Sequence, residues 1–267
     1  MRQLSLLSLL AVAAAGCAAQ PAPPTQGLDD VLTMRYRMAE ELVENRAYDS
    51  AAPYLMDLIA RRPDDARLHL LLGIVLRGKG VLDKSKEELD HALRLSPRDP
   101  AIHNALGVLH IKRRDLAAAS RSLRRATELA PRAASYRNDL GFCLLAQRKL
   151  ADAQKELAEA VRLDPTMRRA FNNLGVALGL MGREAEALDA FTQVGGSRAM
   201  ALTNMGFVQE LRGRPALARR YYERALRHDT NYKPARRNLR ALDPQNALFV
   251  VDADQPETAP APSEVEK

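Results

Sequence analysis

The sequence predicts an all-α fold, a solenoid of about six helix-turn-helix repeats closed by a C-terminal capping helix. Three observations carry this. Gly73, Gly107, Gly141 and Gly175 are spaced by 34 residues, and Gly206 follows after 31. Pro63, Pro97, Pro131 and Pro165 keep the same step of 34. So do two rows of small residues, Ala119, Ala153 and Ala187, then Ala92, Ala126 and Ala160. A fixed period of this length marks stacked supersecondary units, none of which can bury its apolar face alone. Aromatic residues make up 4% of the chain and Trp is absent, which suits a Leu- and Ala-based helical core, and strand signals are missing from residues 30–242.

Taken in order, the chain opens with "MRQLSLLSLLAVAAAGC". Arg2 and the apolar run from Leu4 to Ala15 have the form of an export signal over residues 1–16. The run is too short to span a bilayer, which needs about 20 apolar residues. "AAGC" at 14–17 resembles a bacterial lipobox. That resemblance implies that Cys17 carries the lipid and becomes the mature N-terminus. With Ala18 next to it, it also implies outer-membrane sorting, facing the periplasm of a Gram-negative cell. Residues 17–28 are a Pro-rich tether; extended at ~3.1 Å per residue, it holds the body roughly 30 Å from the membrane.

Residues 29–242 form the solenoid, with repeats at about 32–65, 66–99, 100–133, 134–167, 168–198 and 199–232. Numbered so that the proline is position 32, Gly falls at 8, a small residue at 20 and Ala at 27, as at Ala92, Ala126 and Ala160. Position 24 is apolar: Leu55, Leu89, Leu123, Leu157, Phe191 and Tyr222. Gly at 8 and the small residue at 20 let helix A approach helix B, and Ala at 27 admits the next repeat. The mid-helix glycine costs about 1 kcal/mol relative to Ala, which close packing offsets. Proline lacks an N–H and ends helix B. The first repeat is degenerate, with Ala39 in the glycine's place and Pro53 inside its second helix. The fifth is three residues short and ends in "VGGSR". "PARRNLRAL" (234–242) reads as a polar capping helix, and 243–267 as an acidic, Pro-rich disordered tail. Within that tail "ALFVV" (247–251) is a lone apolar run, readable either as a patch folding back on the last helix or as a docking segment.

Catalytic constellations are missing. There is no G-x-S-x-G, Walker A or G-x-G-x-x-G pattern, and "GKG" at 78–80 lacks the remaining spacing. His69 and His103 share position 4 without an HxxxH pair or an acidic or Cys companion, so they read as packing or rim residues, and neither a metal nor a cofactor is expected. Cys143 reads as a small buried residue. With Cys17 committed to lipid, no intramolecular disulfide is possible. The chain carries 40 Lys and Arg against 33 acids. The surplus peaks at 212–240, where Arg212, Arg219, Arg220, Arg224, Arg227, Arg236 and Arg237 form a candidate basic face. An exported protein does not routinely meet nucleic acid. The face is therefore solvated, or meets anionic lipid, an acidic protein surface or the chain's own acidic tail.

The repeat pattern is similar to that of the tetratricopeptide (TPR) family. That implies a right-handed solenoid whose concave surface is lined by helix A and binds extended peptides through Asn at positions 5 and 6. Here those positions hold Asn104, Asn138 and Asn172, and Asp139, Asn173 and Asn204. Position 9 adds apolar pockets at Phe142, Val176 and Phe207. The other reading of the Asn side chains is that they satisfy local backbone groups. The lipobox, the repeats and above all "NNLGVALGLMGREAEALDAFTQVGGSRAMALTNMGFVQELRG" (172–213) resemble the TadD family, TPR lipoproteins of the Tad (Flp) pilus assembly system. This resemblance implies a pilotin-like, non-catalytic scaffold at the outer membrane whose partner is the secretin or another pilus component. The competing expectation is a periplasmic TPR lipoprotein serving as adaptor for envelope proteases or peptidoglycan enzymes.

Overall fold

The computed structural model describes residues 26–193 and 195–242, and Cys17 and the tail lie outside them. Thirteen α-helices and no strands occur among the described residues. They pair as α1 (Gln26–Glu44) with α2 (Tyr48–Arg61), α3 (Ala66–Gly78) with α4 (Leu82–Leu95), and α5 (Pro100–Lys112) with α6 (Leu116–Leu129). α7 (Ala134–Ala146) pairs with α8 (Leu150–Leu163), α9 (Arg168–Leu180) with α10 (Glu184–Thr192), and α11 (Arg198–Leu211) with α12 (Pro215–His228). α13 (Lys233–Ala241) closes the stack. Odd-numbered helices also touch one another in sequence, from α1·α3 to α11·α13, so helix A of each repeat lines one continuous layer. No described helix is long and apolar enough to cross a membrane.

The repeating glycine has a measurable reason. A Cβ on Gly107 would sit 2.4 Å from Leu123 Cγ, and one on Gly141 would sit 2.5 Å from Leu157 Cγ. On Gly175 it would meet Phe191 Cε1 at 2.5 Å. The contact that excludes a side chain at position 8 is therefore the large residue at position 24 of the same repeat. Leu123, Leu157 and Phe191 are in turn fully buried by that approach. Position 20 closes the same junction where it is Ser: Ser85 Oγ donates to the Gly73 carbonyl at 2.7 Å. The prolines fall two residues beyond the ends of α2, α4, α6 and α8. There the carbonyls of Pro63, Pro97 and Pro131 accept from position 4 of the following repeat: His69 Nε2 at 2.8 Å, His103 Nε2 at 2.9 Å and Arg137 Nε at 3.0 Å. The position-4 histidines are thus inter-repeat pins. Among the described residues no group of three or more His, Cys, Asp or Glu could hold a metal.

Two boundaries differ from the sequence reading. α1 begins at Gln26, so the last residues assigned to the tether are helical. Pro24 is the last proline there, and nothing after it bars helical backbone. α10 has nine residues where the other B helices have fourteen. It stops at Thr192, and the chain turns through Gly195 at φ 75°. Gly196 follows, whose Cβ would lie 2.2 Å from the Phe191 carbonyl. The lost turn lets α11 close on α9, with Gly179 against Val208.

Candidate functional site

The short fifth repeat sets up the groove. Position 9 points out of each A helix, and in repeats four to six it carries Phe142, Val176 and Phe207. Phe142 and Phe207 are each 46% exposed, unusual for side chains of this size in a closed core. Leu145, Ala146 and Leu180, one turn further along their helices, complete the wall with Leu211. Together they line a groove of about 360 Å³ that is almost wholly apolar. Asn173 and Arg148 supply its polar edge. Arg148 reaches across two repeat boundaries and donates from Nη2 to the Leu211 carbonyl at 3.2 Å. The closing of α11 on α9 is what brings those two residues within reach.

The Asn row pairs with itself, in one run from Asn104 to Asn173 and a separate pair at Asn172 and Asn204. Asn104 Nδ2 donates to Asp139 Oδ2 at 3.1 Å, Asn173 Nδ2 to Asn138 Oδ1 at 2.9 Å, and Asn204 Nδ2 to Asn172 Oδ1 at 3.5 Å. Each rung joins position 5 of one repeat to position 6 of the next. Asn138 also donates to Asp139 Oδ1 at 3.0 Å and is 3% exposed, so both ends of its carboxamide are taken. It is an inter-repeat link rather than a peptide-facing group. Asn173, whose carbonyl oxygen is not used in the row, is the member that borders the groove. At the other end Asn104 Oδ1 is buried without a partner among the described residues. Nearby, Arg77 is held below its ordinary pKa by burial, with Asp139 opposing that shift, and it donates to the Ala105 carbonyl at 3.2 Å.

The basic residues divide. Arg220, Arg224 and Arg227 lie exposed along α12, Arg236 and Arg237 along α13, and Arg219 is half-buried beside them. Arg224 stacks 5.4 Å from the Tyr221 ring centre, and Arg236 donates to the Thr230 carbonyl at 2.6 Å. Arg212 stands apart from this face. Its side chain is 20% exposed and donates to the Gly179 carbonyl and to Glu184, which also accepts from Gln209 and Tyr221. It braces repeat six on repeat five. Cys143 is fully buried, and burial pushes its thiol above the ordinary value, which suppresses the thiolate.

Sequence reasoning missed Leu145, Leu180, Leu211 and Arg148. The three leucines sit at repeat positions 12 and 13, where the other repeats carry residues as different as Arg77, Gly78, Lys112 and Glu210, so no periodicity marks them. Arg148 lies in a turn whose curvature alone decides what it can touch.

Comparison with known proteins agrees with this architecture. Residues 42–109 and, in two stretches, 104–153 and 144–197 match family profiles described as tetratricopeptide repeat, together more than half of the chain. The solved structure of PilW, described as a widely conserved type IV pilus biogenesis factor, superposes with a TM-score of 0.64 at 19% identity, over 78% of this chain and 98% of PilW. PilF of Pseudomonas aeruginosa gives 0.62 at 19% identity, over 79% and 98%. YrrB, described as a TPR protein with an unusual peptide-binding site, gives 0.53 at 19%, over 69% and 96%. At these identities the likeness is one of fold. Among curated proteins no sequence matches this chain.

Proposed function

The chain belongs to the tetratricopeptide repeat family, and from that premise we propose that it is an outer-membrane-anchored, non-catalytic scaffold that holds an extended partner segment in its concave groove. The process is assembly of a Tad (Flp) pilus, and the partner is the secretin or another component of that machinery. The observation that carries the binding role is the open row Phe142, Val176 and Phe207 across three adjacent A helices. Exposed aromatic side chains in a concave, nearly apolar site favour a partner that brings its own apolar residues, each contributing about 1.5–3 kcal/mol on full burial. The pilus assignment is supported by the motif at 172–213 and by the likeness in fold to PilW, a pilus biogenesis factor.

Purified secretin and the other pilus components are to be titrated against the chain and its Phe207→Asp variant. Binding by one of them, weakened about tenfold or more by the buried charge, is the expected result. Binding of envelope proteases or peptidoglycan hydrolases in their place would replace the pilus assignment with the adaptor reading.

A further inference from the structure

We propose that residues 247–251, the "ALFVV" run of the acidic tail, dock extended in the groove in cis and compete with any partner for it. This rests on the groove being a peptide site and adds its regulation.

Three features converge. α13 packs on α11 in the place of a seventh helix A, and Leu242 follows Val208 by 34 residues. The chain therefore leaves the solenoid in the A-helix layer, one helix beyond Phe207 and level with it. Adjacent packed helices are about 8–10 Å apart, and the five residues from 243 to 247 span up to about 17 Å. Length matches as well. The groove crosses three A helices, about 16–20 Å at that spacing, and a five-residue strand covers about 17 Å. Chemistry matches third. The run is the tail's apolar segment, and Phe142, Phe207 and Leu211 are exposed apolar side chains that lack cover. Asp243 precedes the run where α13 carries Arg237 and Arg240, neither of which has an ion pair among the described residues. Asp252 and Asp254 follow it on the side of Arg148, and Arg114, one repeat further, is exposed.

A tether this short holds the segment at an effective concentration on the order of millimolar, so even weak affinity keeps it seated. A partner must displace it, and a substitution within the tail that unseats it, such as Val250→Asp, should sharpen partner binding.

The chain has no Trp, so a single one reports without background. In the full chain, Phe249→Trp should be quenched by acrylamide about threefold less than the control Ala261→Trp, as a segment seated at millimolar effective concentration requires. Adding Phe207→Asp should bring it to the control level. So should adding Val250→Asp, which leaves the solenoid untouched. Equal quenching at 249 and 261 would overturn the proposal. Shielding that survives both added substitutions would do so too, because the tail would then lie elsewhere on the molecule. Shielding lost on dilution would assign the docked tail to a second copy and overturn the cis arrangement. No partner is needed for this readout, so its failure leaves the groove's binding role standing. Failure of every candidate partner to bind leaves the quenching result intact.

Discussion

At the scale of single residues, the turn between helices A and B shows what a repeat tolerates. Position 15 has positive φ in every repeat: Gly80, Gly182 and Gly213, but also Arg46, Arg114 and Arg148, the last two at 62° and 60°. A left-handed conformation costs an L-residue roughly 1–2 kcal/mol. Arg114 gains nothing visible in return, being exposed and without a side-chain hydrogen bond among the described residues. Arg114→Gly should raise stability by about 0.5–1 kcal/mol, the relieved strain less the freedom glycine adds to the unfolded chain. A urea midpoint that stays put or falls would reject this. Arg148→Gly removes the same strain but also the bond to the Leu211 carbonyl, so it should gain less. Residue-level reading of the sequence worked where one requirement governs a position. Gly at position 8 was legible because in repeats two to six a side chain there would run into the residue at 24; repeat one, with Ala39 opposite Leu55, departs from the rule. Asn138 was not, since its partner Asn173 lies 35 residues away and the row pairs across repeats.

Among the helices, starts are less uniform than the periodicity suggests. Asp65 caps α3, accepting from the Arg67 and Leu68 amides at 2.9 and 3.3 Å, and Asp99 caps α5, accepting from the Ala101 amide at 2.8 Å. The same position before α7 is Ala133, which offers no side-chain acceptor. Its backbone, φ −79° and ψ 98°, nearly repeats that of Asp65 at −86° and 100°. Ala133→Asp should therefore form the missing cap and add about 1 kcal/mol. The gain belongs locally, because stacked repeats couple mainly to neighbours. Amide exchange in the first turn of α7 should slow, and unchanged protection would show that the cap does not form. Helix pairs and their turns were legible because Gly, Pro and the apolar position recur at one interval. The shortened α10 was legible as three missing residues. Its effect was not: closure of α11 on α9 depends on where the missing turn lay, and that closure brings Leu211 and Arg148 to the groove.

For the molecule as a whole, location and shape act together. On the proposed lipid anchor, Cys17→Ser should move the protein from the outer membrane to the soluble periplasmic fraction, because acyl chains contribute about 0.8 kcal/mol per buried CH₂. Retention at the membrane would mean that another part of the chain anchors it. The groove's shape carries a different consequence, through Arg148. The A helices of repeats four to six lie side by side, and the bond from Arg148 to the Leu211 carbonyl straps the first of the three repeats to the last. An occupant that fits between Phe142 and Phe207 leaves this strap in place, whereas one that spreads the outer two helices has to break it.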